Sequence, residues 1–214
     1  MDNVLRSWIY LEESGEEHCI CCYKQLTELP ESICNLSGLQ VLDCSYNLLT
    51  KLPESIGSLS NLKILDCHFN QLTELPESIC NLNKLQELYC GINRLTKLPE
   101  SIGHLNGLRE LYCFNNQLTR LPESIGKLSD LLILECSDNQ LTNLPDSIGC
   151  LSNLKELNCR YNIIAYFGTK ENIADDVKKF FKFKKEIKEI LNEQLIIDLD
   201  TASVIFSFIG PSYQ

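Results

Sequence analysis

No run of apolar residues in this chain is long enough to cross a bilayer as a helix. Its first residues, Met1-Asp2-Asn3, do not begin a basic stretch followed by an apolar one, so no secretory leader is expected. A glycine-rich phosphate loop is missing. The three histidines, His18, His68 and His104, fall at unrelated positions, with no activated nucleophile beside any of them. Positive charge is scarce, with 19 Lys and Arg against 29 Asp and Glu and a net charge of −10. That balance argues against general binding to nucleic acid or anionic membranes and leaves basic proteins as the natural partners.

What the chain does have is a beat. Asn47, Asn70, Asn93, Asn116, Asn139 and Asn162 stand 23 residues apart, and Pro30, Pro53, Pro76, Pro99, Pro122 and Pro145 keep the same interval. A period of this size marks a solenoid. One copy runs from Leu39 to Leu62 as L-x-x-L-x-C-x-x-N-x-L-x-x-L-P-x-S-I-x-x-L-x-x-L. In Leu39-x-x-Leu42-x-Cys44 the inward residues alternate with outward ones, which predicts a short strand. Asn47 turns the chain, and its amide is suited to satisfy backbone groups of its own and neighbouring coils. Leu49, Leu52, Ile56, Leu59 and Leu62 point back inward on a return segment too short for a long helix, which predicts 3₁₀ turns or one short α turn. A single coil cannot bury its own leucine face, so coils must stack, with their strands in a parallel sheet at ~4.8 Å spacing. Seven such strands are expected, the first a degenerate one at Cys19 to Cys21.

The pattern over residues 19 to 167 resembles the leucine-rich repeat, and most closely its intracellular 23-residue L-P-x-S-I type. It is similar to Ras-pathway scaffold proteins, to plant relatives of them, and to arrays of bacteria and giant viruses. The resemblance implies an α/β solenoid, or horseshoe, with a concave parallel sheet, a 3₁₀ or irregular convex side and terminal caps. It also implies a module that binds proteins and needs no cofactor. Some bacterial repeat proteins of this kind are ubiquitin ligases through a large C-terminal domain. The residues after 167 here are few and hold no cysteine, so that activity does not carry over.

The expected organisation is a cap with the degenerate first strand over 1–23, the array over 24–167, and a helical cap with a tail over 168–214. Val4, Leu5, Trp8, Ile9 and Leu11 lie at roughly helical spacing and suit a lid on the open end of the first coil. Thr169 or Asn172 is placed to start a helix whose stripe is Ile173, Val177, Phe180, Ile187 and Leu191. Within it, Lys178 to Lys185 is basic and aromatic, but acids at 175, 176, 186 and 189 dilute it.

Of the 12 cysteines, Cys21, Cys44, Cys67, Cys90, Cys113, Cys136 and Cys159 keep the beat at an inward leucine position. They read as a core ladder of free thiols with parallel Cβ vectors, a poor geometry for disulfides. That places the chain in a reducing, cytoplasmic compartment. A metal centre at His18-Cys19-Ile20-Cys21-Cys22 is disfavoured, because alternation sends Cys19 and Cys21 inward but His18 and Cys22 outward. On the convex side, Glu31, Glu54, Glu77, Glu100, Glu123 and Asp146 are expected to complement the unpaired N–H groups of their own turns. Glu28, Lys51, Glu74 and Lys97 alternate in sign and are expected to favour the stack.

Neither core nor turns dictate the outward strand positions. They form three rows: Val41, Ile64, Glu87, Glu110, Ile133, Glu156; then Asp43, Asp66, Tyr89, Tyr112, Glu135, Asn158; then Ser45, His68, Gly91, Phe114, Ser137, Arg160. Acids dominate, Arg160 is their single cation, and aromatics cluster in the middle. The expected protein-binding surface is Asp43, Asp66, His68, Glu87, Tyr89, Glu110, Tyr112, Phe114 and Glu135, and it takes a partner with a basic, arginine-bearing surface. The chain itself is expected to be a monomer with no membrane span, no nucleic-acid partner, no metal and no catalytic residue. Two alternatives compete: a structural or thiol-rich protein without a dedicated partner site, and an effector-type binder of host proteins.

Overall fold

The computed structural model describes residues 7–11 and 15–163. The expected C-terminal helix, its apolar stripe, the Lys178–Lys185 segment and the tail all lie outside the described residues. So do Val4, Leu5 and the acids Glu12 and Glu13.

Eight strands form one sheet in chain order. They are β1 (Ile9–Leu11), β2 (Glu17–Ile20), β3 (Leu39–Asp43), β4 (Ile64–Asp66), β5 (Glu87–Tyr89), β6 (Glu110–Tyr112), β7 (Ile133–Glu135) and β8 (Glu156–Asn158). From β2 to β8 all neighbours pair in parallel, giving the seven parallel strands of a leucine-rich repeat solenoid. The register follows the beat, with Leu42, Leu65, Leu88, Leu111, Leu134 and Leu157 side by side, each fully buried. Each strand from β3 to β8 is short because an Asn four residues after its last residue turns the coil out of the sheet. The return segments carry 3₁₀ turns, such as Glu54–Ser58 and Glu123–Lys127, and no α-helix occurs among the described residues. Pro53 and Pro122 precede these turns with ψ of 137° and 147°, holding the chain extended until the turn begins.

The core is one continuous leucine–isoleucine–cysteine column running the length of the array. Each fully buried leucine contributes on the order of 1.5–3 kcal/mol relative to exposure. The ladder thiols of Cys44, Cys67, Cys90, Cys113 and Cys136 are completely buried, and burial pushes all of them above the ordinary thiol range. All twelve cysteines are free. Cys150 is exposed and Cys22 half-buried. Native-state titration with a thiol reagent should therefore show Cys150 reacting first, Cys22 more slowly, and the ladder only after denaturant is added. Fast reaction of ladder thiols would contradict a closed core.

The asparagine ladder joins coil to coil. Asn70 donates from Nδ2 to the carbonyls of Cys44 (3.0 Å) and Cys67 (3.1 Å), while its Oδ1 accepts the Leu49 N–H at 2.9 Å. Asn47, Asn93, Asn116, Asn139 and Asn162 repeat the pattern. The residue before each asparagine adopts positive φ, between 49° and 55° for Tyr46, Phe69, Ile92, Asn115, Asp138 and Tyr161. Backbone bonds hold that conformation, as when Ile92 N–H donates to Phe114 C=O at 2.9 Å. A β-branched residue is poorly suited to this region and asparagine is well suited. Ile92→Asn should therefore raise stability by up to ~1 kcal/mol, read as a higher urea midpoint with unchanged slope.

Several expectations are corrected. Ile9 and Leu11 do not lie on a helix: Ile9–Leu11 is a strand, antiparallel to β2 with Tyr10 opposite His18. The bare edge of β2 needs partners for its backbone groups, and Ile20 N–H finds Trp8 C=O at 2.7 Å. Trp8 packs into the core beside it, with Ile9 against it. The first parallel strand is Glu17–Ile20 rather than Cys19 to Cys21, with a register shift at Glu17/His18. His18 does occupy an outward row, opposite Val41, but it is 8% exposed rather than solvated, because β1 lies alongside.

On the convex side Glu31, Glu54, Glu77, Glu123 and Asp146 stand in the first turn of their 3₁₀ segments, where a carboxylate complements the unpaired N–H groups. Glu31 and Glu77 also accept hydrogen bonds from the hydroxyls of Ser55 (2.6 Å) and Ser101 (2.5 Å) in the next coil. Glu28, Lys51, Glu74 and Lys97 make no direct ion pairs with one another among the described residues. All four are exposed, where holding two long side chains together gains little.

Candidate functional site

Parallel register turns the outward rows into a physical surface. Asp43 pairs with Asp66, Glu87 with Glu110, Tyr89 with Tyr112 and Tyr112 with Glu135. The nine expected residues do not behave alike.

Asp43, Asp66 and Glu135 bend back onto their own chain. Asp43 Oδ1 accepts both Ser45 N–H (2.9 Å) and Ser45 Oγ–H (2.6 Å). Asp66 Oδ1 accepts His68 N–H at 3.1 Å and contacts His68 Nδ1. Glu135 accepts Ser137 N–H at 3.0 Å and the Asn158 amide at 2.8 Å. Each satisfies the backbone N–H two residues on, where the strand ends, which is a structural task. Burial raises the Asp66 pKa, against the lowering effect of the His68 bonds and with a smaller push from Asp43.

Glu87, Tyr89, Glu110, Tyr112 and Phe114 form a different group. The rings of Tyr89 and Tyr112 stack with centroids 4.9 Å apart and planes 16° from parallel. Tyr89 O–H donates to Glu87 Oε2 at 2.8 Å, with Glu110 Oε2 at 3.4 Å. Burial first, and the Glu87 carboxylate second, push the Tyr89 phenol well above its ordinary range. Burial and then Glu110 raise Tyr112. Phe114 lies over Gly91: a Cβ there would come within 2.6 Å of the ring. Glycine at 91 thus leaves the room that the Phe114 ring occupies. Past Tyr112 a groove of about 430 Å³ opens, lined by Ile133, Glu135, Glu156, Asn158 and Arg160.

One feature escaped the sequence reading. Tyr23, Tyr46 and Phe69 stack in a column, with centroids 4.3 Å apart at each step and planes 13–14° from parallel. His68 meets Tyr46 and Phe69 edge-on. Tyr46 and Phe69 occupy the positive-φ position before an asparagine, and Tyr23 the equivalent position before Lys24, all outside strict strand alternation. Their own spacing of 23 was the signal that could have revealed them. Among the described residues, no group of three or more His, Cys, Asp or Glu is placed to hold a metal ion. No helix there is long and apolar enough to cross a membrane.

A family profile described as a leucine-rich repeat region matches residues 20–93 and 89–185. The chain belongs to the leucine-rich repeat family. Solved structures of leucine-rich repeat proteins resemble it. The leucine-rich repeat domain of the type III effector XopL is 28% identical, with a TM-score of 0.62 over 70% of this chain and 53% of that one. The PEPR1-AtPEP1 crystal structure is 34% identical, with a TM-score of 0.58 over 72% of this chain and 26% of that one. A Leptospira interrogans leucine-rich repeat protein is 27% identical over 75% of this chain and 58% of that one, with a TM-score of 0.47. This leucine-rich repeat chain thus spans between about a quarter and three fifths of these three solved chains. No curated protein matches it.

Proposed function

We propose that this leucine-rich repeat chain is a non-enzymatic protein-interaction module of a reducing, cytoplasmic compartment, and that its concave sheet binds a protein with a basic surface. The observation that carries the reading is the Tyr89–Tyr112 stack flanked by Glu87 and Glu110 on adjacent strands. Two register-paired carboxylates repel each other mildly, and one tyrosine hydroxyl offsets this without neutralising either. An incoming cation relieves the repulsion, and the aromatic group beside it supplies apolar area and a face for a guanidinium. A stacked sheet is also rigid before binding, which lowers the ordering cost. Family membership and the leucine-rich repeat architecture of its structural neighbours support an interaction module, and the PEPR1-AtPEP1 structure pairs two named components.

The test is capture of partners from the native host's cytosol, followed by calorimetry and stopped-flow kinetics on the captured protein. Tyr112→Ala should weaken binding by at least ~1–2 kcal/mol at any salt, because a desolvated aromatic sets the off-rate. Glu87→Lys should slow association mainly at low ionic strength. Undiminished binding by a folded Tyr89, Tyr112 and Phe114 triple-alanine variant would place the contact elsewhere.

A further inference from the structure

Several side chains of the concave surface are already engaged with one another, and that bears on where a partner's side chain can enter. Tyr89 and Tyr112 are already in contact, so nothing inserts between them. Phe114 closes the space over Gly91. Asp43, Asp66 and Glu135 each serve the N–H two residues on. One face of Tyr112 is covered by Tyr89, while its opposite face lines the groove that runs on towards Arg160.

We propose that this groove, walled by the open face of Tyr112 and by Glu135 and Glu156, is the anchor subsite of the concave face and takes one arginine side chain of the partner. The inference rests on the reading of the concave face given above and names what that face recognises. Its volume of about 430 Å³ is that of a pocket for a small ligand or one long side chain. Ile133 on its floor suits the aliphatic stem of an arginine. Tyr112 offers a ring face on which a planar guanidinium stacks. Glu156 is exposed and makes no side-chain hydrogen bond among the described residues, and Glu135 keeps lone pairs beyond its two bonds. A lysine fits less well, because its compact, strongly hydrated ammonium has neither the fork nor the plane.

The test uses the full chain, labelled for NMR, titrated with the peptide acetyl-Gly-Arg-Gly-amide and with its lysine and citrulline counterparts. Amide shifts should centre on Tyr112, Ile133, Glu135 and Glu156, with the arginine peptide at least threefold tighter than the lysine one and the citrulline one silent. Ile133→Trp, which fills the floor from an outward position, should abolish the groove shifts, and Glu156→Gln should weaken binding severalfold with the fold unchanged. Equal affinity for lysine overturns the claim of guanidinium recognition. Shifts confined to Glu87, Tyr89 and Glu110 overturn this groove while leaving the concave reading in place. Absence of any concave shift with either cationic peptide overturns both.

Discussion

Leu88→Ala is expected to cost ~2–5 kcal/mol of stability, because it opens a cavity in the middle of the stack. Leu88 is fully buried at the centre of β5, between Leu65 and Leu111 in the neighbouring strands. Those neighbours are held by their own coils and cannot both move in to close the gap. For a protein of this size each kilocalorie shifts the melting temperature by ~2–4 °C, so a drop on the order of 5–15 °C should appear in a thermal melt followed by circular dichroism. Glu87→Ala, one residue away on the outward face, should change stability by less than ~0.5 kcal/mol. The contrast tests register as well as burial, since a slip of one residue would send Glu87 inward and Leu88 out. A parent-like melt for Leu88→Ala with a large loss for Glu87→Ala would refute the pairing that builds the concave surface.

The regular coils were legible because one physical rule writes them repeatedly. Leu42, Cys44, Asn47, Leu52, Pro53 and Ile56 each have a single inward or turning role, and the next coil needs the same role at the same place. The failures fall where that rule stops. At Ile9–Leu11 the chain leaves the coil repeat, so the edge of β2 decides the conformation, and an apolar spacing that suits a helix is overridden by unpaired backbone groups. The serine bonds of Glu31 and Glu77 were not legible because each turn reads by itself in the sequence, while their serine partners sit one coil further on. The outward rows were legible as positions but not as bonds. Alternation puts Asp43 and Tyr89 in one row, but it does not reveal that Asp43 serves Ser45 while Tyr89 leans between two glutamates. The column of Tyr23, Tyr46 and Phe69 was missed because residues at positive φ leave the period-2 pattern in which outward positions were sought.

Asn93→Ala should cost ~1–3 kcal/mol, the usual penalty for leaving buried polar groups without partners. The Asn93 amide nitrogen donates to the carbonyls of Cys67 (3.0 Å), Cys90 (3.2 Å) and Gly91 (3.2 Å), and its oxygen accepts Leu72 N–H at 2.9 Å. Alanine removes the bonds but leaves four backbone groups without them at a half-buried place between sheet and core. Asn93→Asp discriminates between the two halves of this role. The carboxylate keeps the acceptor for Leu72 N–H, but it turns an oxygen towards three carbonyl oxygens, so the donors are lost and a charge is set against like dipoles. Aspartate should therefore be more destabilising than alanine at neutral pH, and lowering the pH through the carboxylate range should recover part of the loss as the acid protonates and donates again. The sign follows from linkage: the site favours the protonated acid, so the folded-state pKa lies above the unfolded one and stability falls as pH rises through it. Denaturant melts of the three proteins at acidic and neutral pH measure this directly. If aspartate proves as stable as asparagine at neutral pH, the donors contribute nothing, and the ladder joining coil to coil holds through its acceptor oxygens alone.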